Sequence, residues 1–147
     1  MSKPFASSTD TDVKSDTLEI LADGVYALTA EGDPNVGAVE GEDFLVAIES
    51  RATPAATRDW LKVLREETDK PVRFLILTHY HAVRVLGASA FDAETIIMST
   101  ASRDLVAERG LQDWKSEFGR MPRLAKNADE VPGLTWPTMV FEKRLTL

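Results

Sequence analysis

The segment Val72–Thr78, VRFLILT, constrains the fold more than any other stretch. It is apolar at every position except Arg73 and the closing threonine, so it does not alternate as a half-exposed strand would. A strand of this kind is expected in the middle of a sheet covered on both faces. Before it, Thr53 is a good N-cap and Pro54 suits a first helical position. Ala56, Trp60, Val63, Leu64 and Glu67 then share a stripe, with Arg58, Asp59, Lys62, Arg65 and Glu66 opposite. This predicts an amphipathic helix of about four turns, closed by Pro71. A helix feeding a buried strand implies a layered α/β fold.

The flanking segments fit around that unit. Leu18, Ile20 and Leu21 make a short strand, Asp23-Gly24 a tight turn, and Val25, Ala27 and Leu28 the return. A second hairpin pairs Val36–Glu40 with Phe44–Glu49 across Gly41-Glu42-Asp43. Residues Ala82–Phe91 read as a short helix or turn and Thr95–Ser99 as a buried strand. Thr100–Arg109 reads as a helix stopped by Gly110, with further helix from Leu111 to Arg120. The end, MVFEKRLTL, reads as a strand, a turn at Glu142-Lys143 and the start of another strand. A chain ending there is expected to leave a sheet unfinished, or to have a partner finish it. Residues 1–16 are polar and read as a disordered tail, leaving 17–147 as one domain.

The net charge of −7 argues against a nucleic-acid partner. No apolar run approaches the ~18 residues of a membrane span, and the N-terminal residues lack the apolar core of a signal peptide. A cytoplasmic protein is the default expectation. There is no cysteine, which removes disulfides and zinc-thiolate sites.

After the buried strand come His79 and His81, the only two histidines of the chain. Ligands gather at the carboxyl ends of strands in α/β sheets. In extended backbone the two rings point the same way and can meet one metal ion. A zinc site takes roughly three or four protein ligands, so any full site here must draw on carboxylates or on another chain. Glu49 and Asp33 are acidic residues near the expected sheet end, without a spacing that singles them out. Tyr80 alternates away from the histidines and reads as packing. Trp60, Trp114 and Trp136 read as core or interface residues.

Two hairpins, a helix, a buried strand ending Leu-Thr-His-x-His and Gly87 six residues after the second histidine together resemble the metallo-β-lactamase superfamily. The resemblance runs from Leu18 to the end and covers the first half of that fold. It implies half of an αββα sandwich: a mixed β-sheet with helices on one face. The family motif is T-H-x-H-x-D-H. Thr78, His79 and His81 match it, and Ala82 fills a variable place. Val83 stands at the aspartate and Arg84 at the third histidine. Valine has no donor atom, and arginine stays cationic. The resemblance therefore implies a degenerate site with His79 and His81 as metal ligands, for one zinc ion at most and at low occupancy. Arg84 is a candidate for holding an anionic substrate group. A hydrolase-family protein with weak or no hydrolysis in isolation follows. The alternatives are a non-catalytic homodimeric binding or assembly module, in which two copies cover each other's sheets, and the N-terminal part of a longer metallo-hydrolase.

Overall fold

A computed structural model describes residues 14–147. The expected tail falls mostly outside the described residues; Lys14–Asp16 lead directly into the sheet, and Asp16 pairs with Arg51 at 3.1 Å.

Seven strands lie side by side in chain order: β1 (Thr17–Ala22), β2 (Val25–Thr29), β3 (Val36–Glu40), β4 (Leu45–Ile48), β5 (Val72–Ile76), β6 (Thr95–Ser99) and β7 (Met139–Phe141). The first four pair antiparallel as hairpins, and β4 to β7 pair parallel. Three crossovers join the parallel strands. They carry α1 (Pro54–Leu64), α2 (Ala82–Val85) and α3 (Thr100–Arg120). Each crossover steps one strand in the same direction. Right-handed connections then put all three helices on one face. The architecture is a mixed sheet with helices on one face, as the sequence suggested.

The core lies between that face and the helices. Leu45, Ala47, Leu75, Leu77 and Met98 of the sheet side meet Trp60 and Leu64 of α1, Leu86 and Phe91 beyond α2, and Val106 of α3, all buried. Truncating such leucines costs about 2–5 kcal/mol each.

Thr53 caps α1 as expected, its hydroxyl accepting from the Ala56 N–H at 3.2 Å. The helix is shorter than predicted, at 11 residues. Arg65–Glu67 form a turn instead, and the Arg65 guanidinium binds the carbonyls of Thr68 and Lys70. The buried stripe is also rotated. Ala55 and Thr57 face inward, because the Thr57 hydroxyl accepts the Arg51 N–H at 3.1 Å. Gly110 does not stop a helix. It sits buried inside the continuous α3, where a Cβ would come within 3.1 Å of Leu134. Residues beyond Phe141 make a bend and irregular chain rather than a further strand. Trp60 is core and Trp114 half-buried, but Trp136 is about half exposed.

The expectation that β5 is covered on both sides fails as well. Leu75 and Leu77 are buried under helices, whereas Phe74 and Ile76 point to the other face and are only half-buried. Register extends this face into two rows. One runs Val25, Val39, Val46, Phe74; the other runs Ala27, Gly37, Ile48, Ile76, Ile97, Met139. Lys143–Leu145 and Leu147 line a cavity of about 310 Å³ on this face together with Ile76, Ile97 and Phe141.

Candidate metal centre

The site forms where β4 and β5 leave the sheet together. The Glu49 N–H continues the ladder to the Ile76 carbonyl at 2.8 Å, and the Leu77 N–H bonds the Ile97 carbonyl at 2.9 Å. Glu49 adopts a left-handed backbone, φ 64°, which turns its side chain back under β5's exit. Its Oε1 accepts the Thr78 N–H at 2.5 Å. Its Oε2 lies 3.6 Å from His79 Nδ1 and, although buried, has no hydrogen-bond donor. The Thr78 hydroxyl lies 2.9 Å from the same Nδ1. His79 is therefore held on its Nδ1 side, and Nε2 is the nitrogen left for another partner.

The two imidazoles lie beside one another, ring centroids 4.9 Å apart and nearly edge-on. Tyr80 packs against the core and meets the His81 ring edge-on at 4.8 Å. Burial pushes the His79 pKa below its ordinary value; Glu49 and Asp113 oppose that shift, and His81 and Arg84 add to it. Neutral imidazole is the form that binds a metal.

The helix that follows is pinned from two sides. Asp113 of α3 accepts the Ala82 N–H at 2.7 Å. The Arg84 carbonyl accepts from the Ser50 N–H at 2.8 Å and the Ser50 hydroxyl at 3.0 Å. Val83 points away from the imidazoles into a small apolar cluster with Ala52 and Leu124. The Arg84 guanidinium donates to the Asn35 carbonyl at 3.2 Å, so it reaches the loop between β2 and β3. Asp33 in that loop is buried in an ion cluster with Arg51 and Arg123, not on the histidines.

Sequence reasoning gave Glu49 no special weight. The signal available was its place after the last residue of a strand that pairs in parallel with the histidine strand.

Two imidazoles are fewer than the roughly three or four protein ligands that a zinc site takes. His79 and His81 bring two imidazoles together, and the Glu49 carboxylate lies 3.6 Å from the His79 Nδ1. Among the described residues no group of three or more histidines and carboxylates is spaced to hold an ion.

No protein-family model and no curated protein matches the chain. Solved structures do. A metallo-β-lactamase from Hirschia baltica aligns with a TM-score of 0.56 at 24% identity, over 66% of this chain and 49% of that one. The fold is part of the metallo-β-lactamase fold. FIM-1 from Pseudomonas aeruginosa, a metallo-β-lactamase in its mono-zinc form, gives 0.54 at 19% identity, over 69% and 47%. The inverting sec-alkylsulfatase Pisa1 from Pseudomonas sp. gives 0.58 at 18%, over 67% and 17%. The chain thus spans about half the length of these metallo-β-lactamases and less of the sulfatase. No helix among the described residues is long and apolar enough to cross a membrane.

Proposed function

We propose that the chain is a metallo-β-lactamase-like member of a hydrolase family whose site keeps one cation position, for zinc, and lacks the second. On its own it hydrolyses weakly or not at all. The observation that carries this reading is the divergence after His81. The two imidazoles lie beside one another, while Val83 turns into the core and Arg84 brings a permanent cation to the next position. The mono-zinc form of the similar FIM-1 supports a single ion.

Bound zinc would polarise a carbonyl and acidify a water. The chain's own residues prepare the place. Thr78 holds His79 through Nδ1, the Glu49 carboxylate lies 3.6 Å behind it, and burial pushes that ring's pKa down. Arg84 uses one guanidinium nitrogen on Asn35, and its other donors suit a substrate carboxylate or phosphate. Val83 offers no acceptor to position an attacking water, which is why hydrolysis is weak.

Zinc titration by calorimetry tests this without an activity assay. One ion per chain is expected, lost in His79→Ala and in His81→Ala. Binding of two ions, or of none, would overturn the reading.

A further inference from the structure

We propose that Asp113 of α3 is a positioning residue, which holds the backbone beside His81 and brings to the histidine loop the negative charge that the motif position at Val83 lacks. This inference rests on the single-cation reading above. Its basis is one contact between two elements. The Asp113 Oδ2 accepts the Ala82 N–H at 2.7 Å, across 31 residues of chain. Ala82 follows His81 directly, so the bond fixes the backbone from which the second imidazole projects.

Asp113 does not sit where a solvated surface charge would. Val106, Gly110 and Glu117 of α3 are buried, and Asp113 shares their stripe, one turn from Gly110 and one from Glu117. A carboxylate on an inward stripe costs free energy unless a donor meets it. The donor comes from α2. That helix is four residues long, and His81 at its N-cap position makes no side-chain capping bond. The first N–H groups of a helix have no partner within it, so an acceptor from another element is needed. A neutral asparagine would serve that purpose as well; what it lacks is charge.

Negative charge is what this loop is short of. Against the motif T-H-x-H-x-D-H, the chain has Val83 for an aspartate and Arg84 for a histidine. The first change removes a negative charge and the second adds a positive one. Besides burial, the charges that bear on His79 come from Glu49, His81, Arg84 and Asp113, and of these the two carboxylates favour positive charge there. Their placement is matched. Glu49 takes the Thr78 N–H just before His79, and Asp113 takes the Ala82 N–H just after His81. The segment His79-Tyr80-His81 is thus bracketed by two carboxylates, one from β4's exit and one from α3. Asp113 is half-buried and lines a cavity of about 180 Å³ with Tyr80, Arg109, Gln112 and Ser116, so its carboxylate keeps access to solvent. No group of three or more histidines and carboxylates among the described residues is spaced to hold an ion, so Asp113 acts through the loop and not as a ligand.

Two variants separate the bond from the charge. Asp113→Asn keeps an acceptor oxygen for the Ala82 N–H and removes the charge, whereas Asp113→Ala removes both. Calorimetric zinc titration should show about ten-fold weaker binding by Asp113→Asn, with the thermal midpoint of the zinc-free chain unchanged. Adding Arg84→Gln, which takes a positive charge off the loop, should restore most of the lost affinity. Wild-type affinity in Asp113→Asn, or no restoration by Arg84→Gln, would overturn the charge role. Amide hydrogen exchange on the zinc-free chain reads the bond without any metal. The Ala82 N–H should exchange about ten-fold faster in Asp113→Ala than in wild type, and at the wild-type rate in Asp113→Asn. Equal protection of Ala82 in Asp113→Ala and wild type would overturn the positioning role. A wild type that takes up no zinc would sink the single-cation reading and the charge role with it, while the exchange result decides the positioning role on its own.

Discussion

Glu49 holds the backbone N–H of Thr78 at 2.5 Å, from a left-handed residue on the neighbouring strand. This one bond couples the exits of β4 and β5 and sets where the first imidazole stands. In Glu49→Ala the part-buried Thr78 N–H loses its charged acceptor, at about 1–3 kcal/mol. Alanine also keeps the cost of φ 64°, roughly 1–2 kcal/mol, which glycine escapes. Urea denaturation should therefore rank Glu49→Gly above Glu49→Ala, while strain relief in the glycine variant offsets part of the lost hydrogen bond. Both variants should bind zinc more weakly. An alanine variant as stable as the glycine one would show that the backbone there is not strained.

Much of this was readable from local chemistry. Thr53 and Pro54 announced α1, Asp23-Gly24 the first hairpin, and the unbroken apolar run the parallel strand. What escaped depended on distant contacts. Gly110 looks like a helix stop in isolation and serves instead to admit Leu134. Thr57 looks polar and turns inward because an Arg51 N–H, six residues back, needs an acceptor. Composition could not show that β5 has helices on only one side, since that follows from the common direction of three crossovers. At the site, the spacing of His79 and His81 was legible, whereas the role of Glu49 required knowing that β4 and β5 are neighbours.

Gly87 lies where the chain turns against the start of α1. A Cβ on it would come within 2.6 Å of the Arg51 and Thr53 carbonyl oxygens and closer still to the Thr57 hydroxyl. Those groups anchor the N-terminus of α1 and cannot move cheaply. Gly87→Ala should cost about 3 kcal/mol. Gly119→Ala, in the last turn of α3 with open space around it, should raise stability by roughly 0.5–1 kcal/mol. Thermal unfolding of the two variants side by side checks the opposite signs. A near-neutral Gly87→Ala would mean that the turn is loosely packed.

A three-group cluster at the far end of the sheet sets two pH limits. Glu40 accepts from Lys70 Nζ at 2.5 Å and from the Tyr26 hydroxyl at 2.7 Å. Lys70, and then Tyr26, hold the Glu40 pKa down at about 2 from an ordinary 4.5. Its contribution to stability is complete above 4.5 and is lost as pH falls toward 2. The hydrogen bond to Glu40, and then burial, raise the Tyr26 pKa from 10.0 to about 12. Its contribution is complete below pH 10 and is lost as pH rises toward 12. Denaturation midpoints followed against pH should therefore fall less steeply in both windows for Glu40→Gln than for wild type. Identical slopes in the two proteins would remove this cluster from the pH response.

Val83 marks the place where the family motif carries an aspartate, and restoring that residue should not restore a second metal. The valine is 5% exposed, packed with Ala52 and Leu124 and against Phe118 and Met121. A carboxyl group there would enter an apolar cluster. Burial favours its neutral form, which binds no cation. Val83→Asp should lower stability by about 2–3 kcal/mol, the cost of an unpaired buried polar group. Zinc stoichiometry should stay at one. Urea denaturation and calorimetry on the same preparation decide the matter together. A Val83→Asp chain that keeps its stability and takes up two zinc ions would mean that this side chain faces the histidines and that the loss of the second ion is a matter of one residue rather than of how α2 is packed.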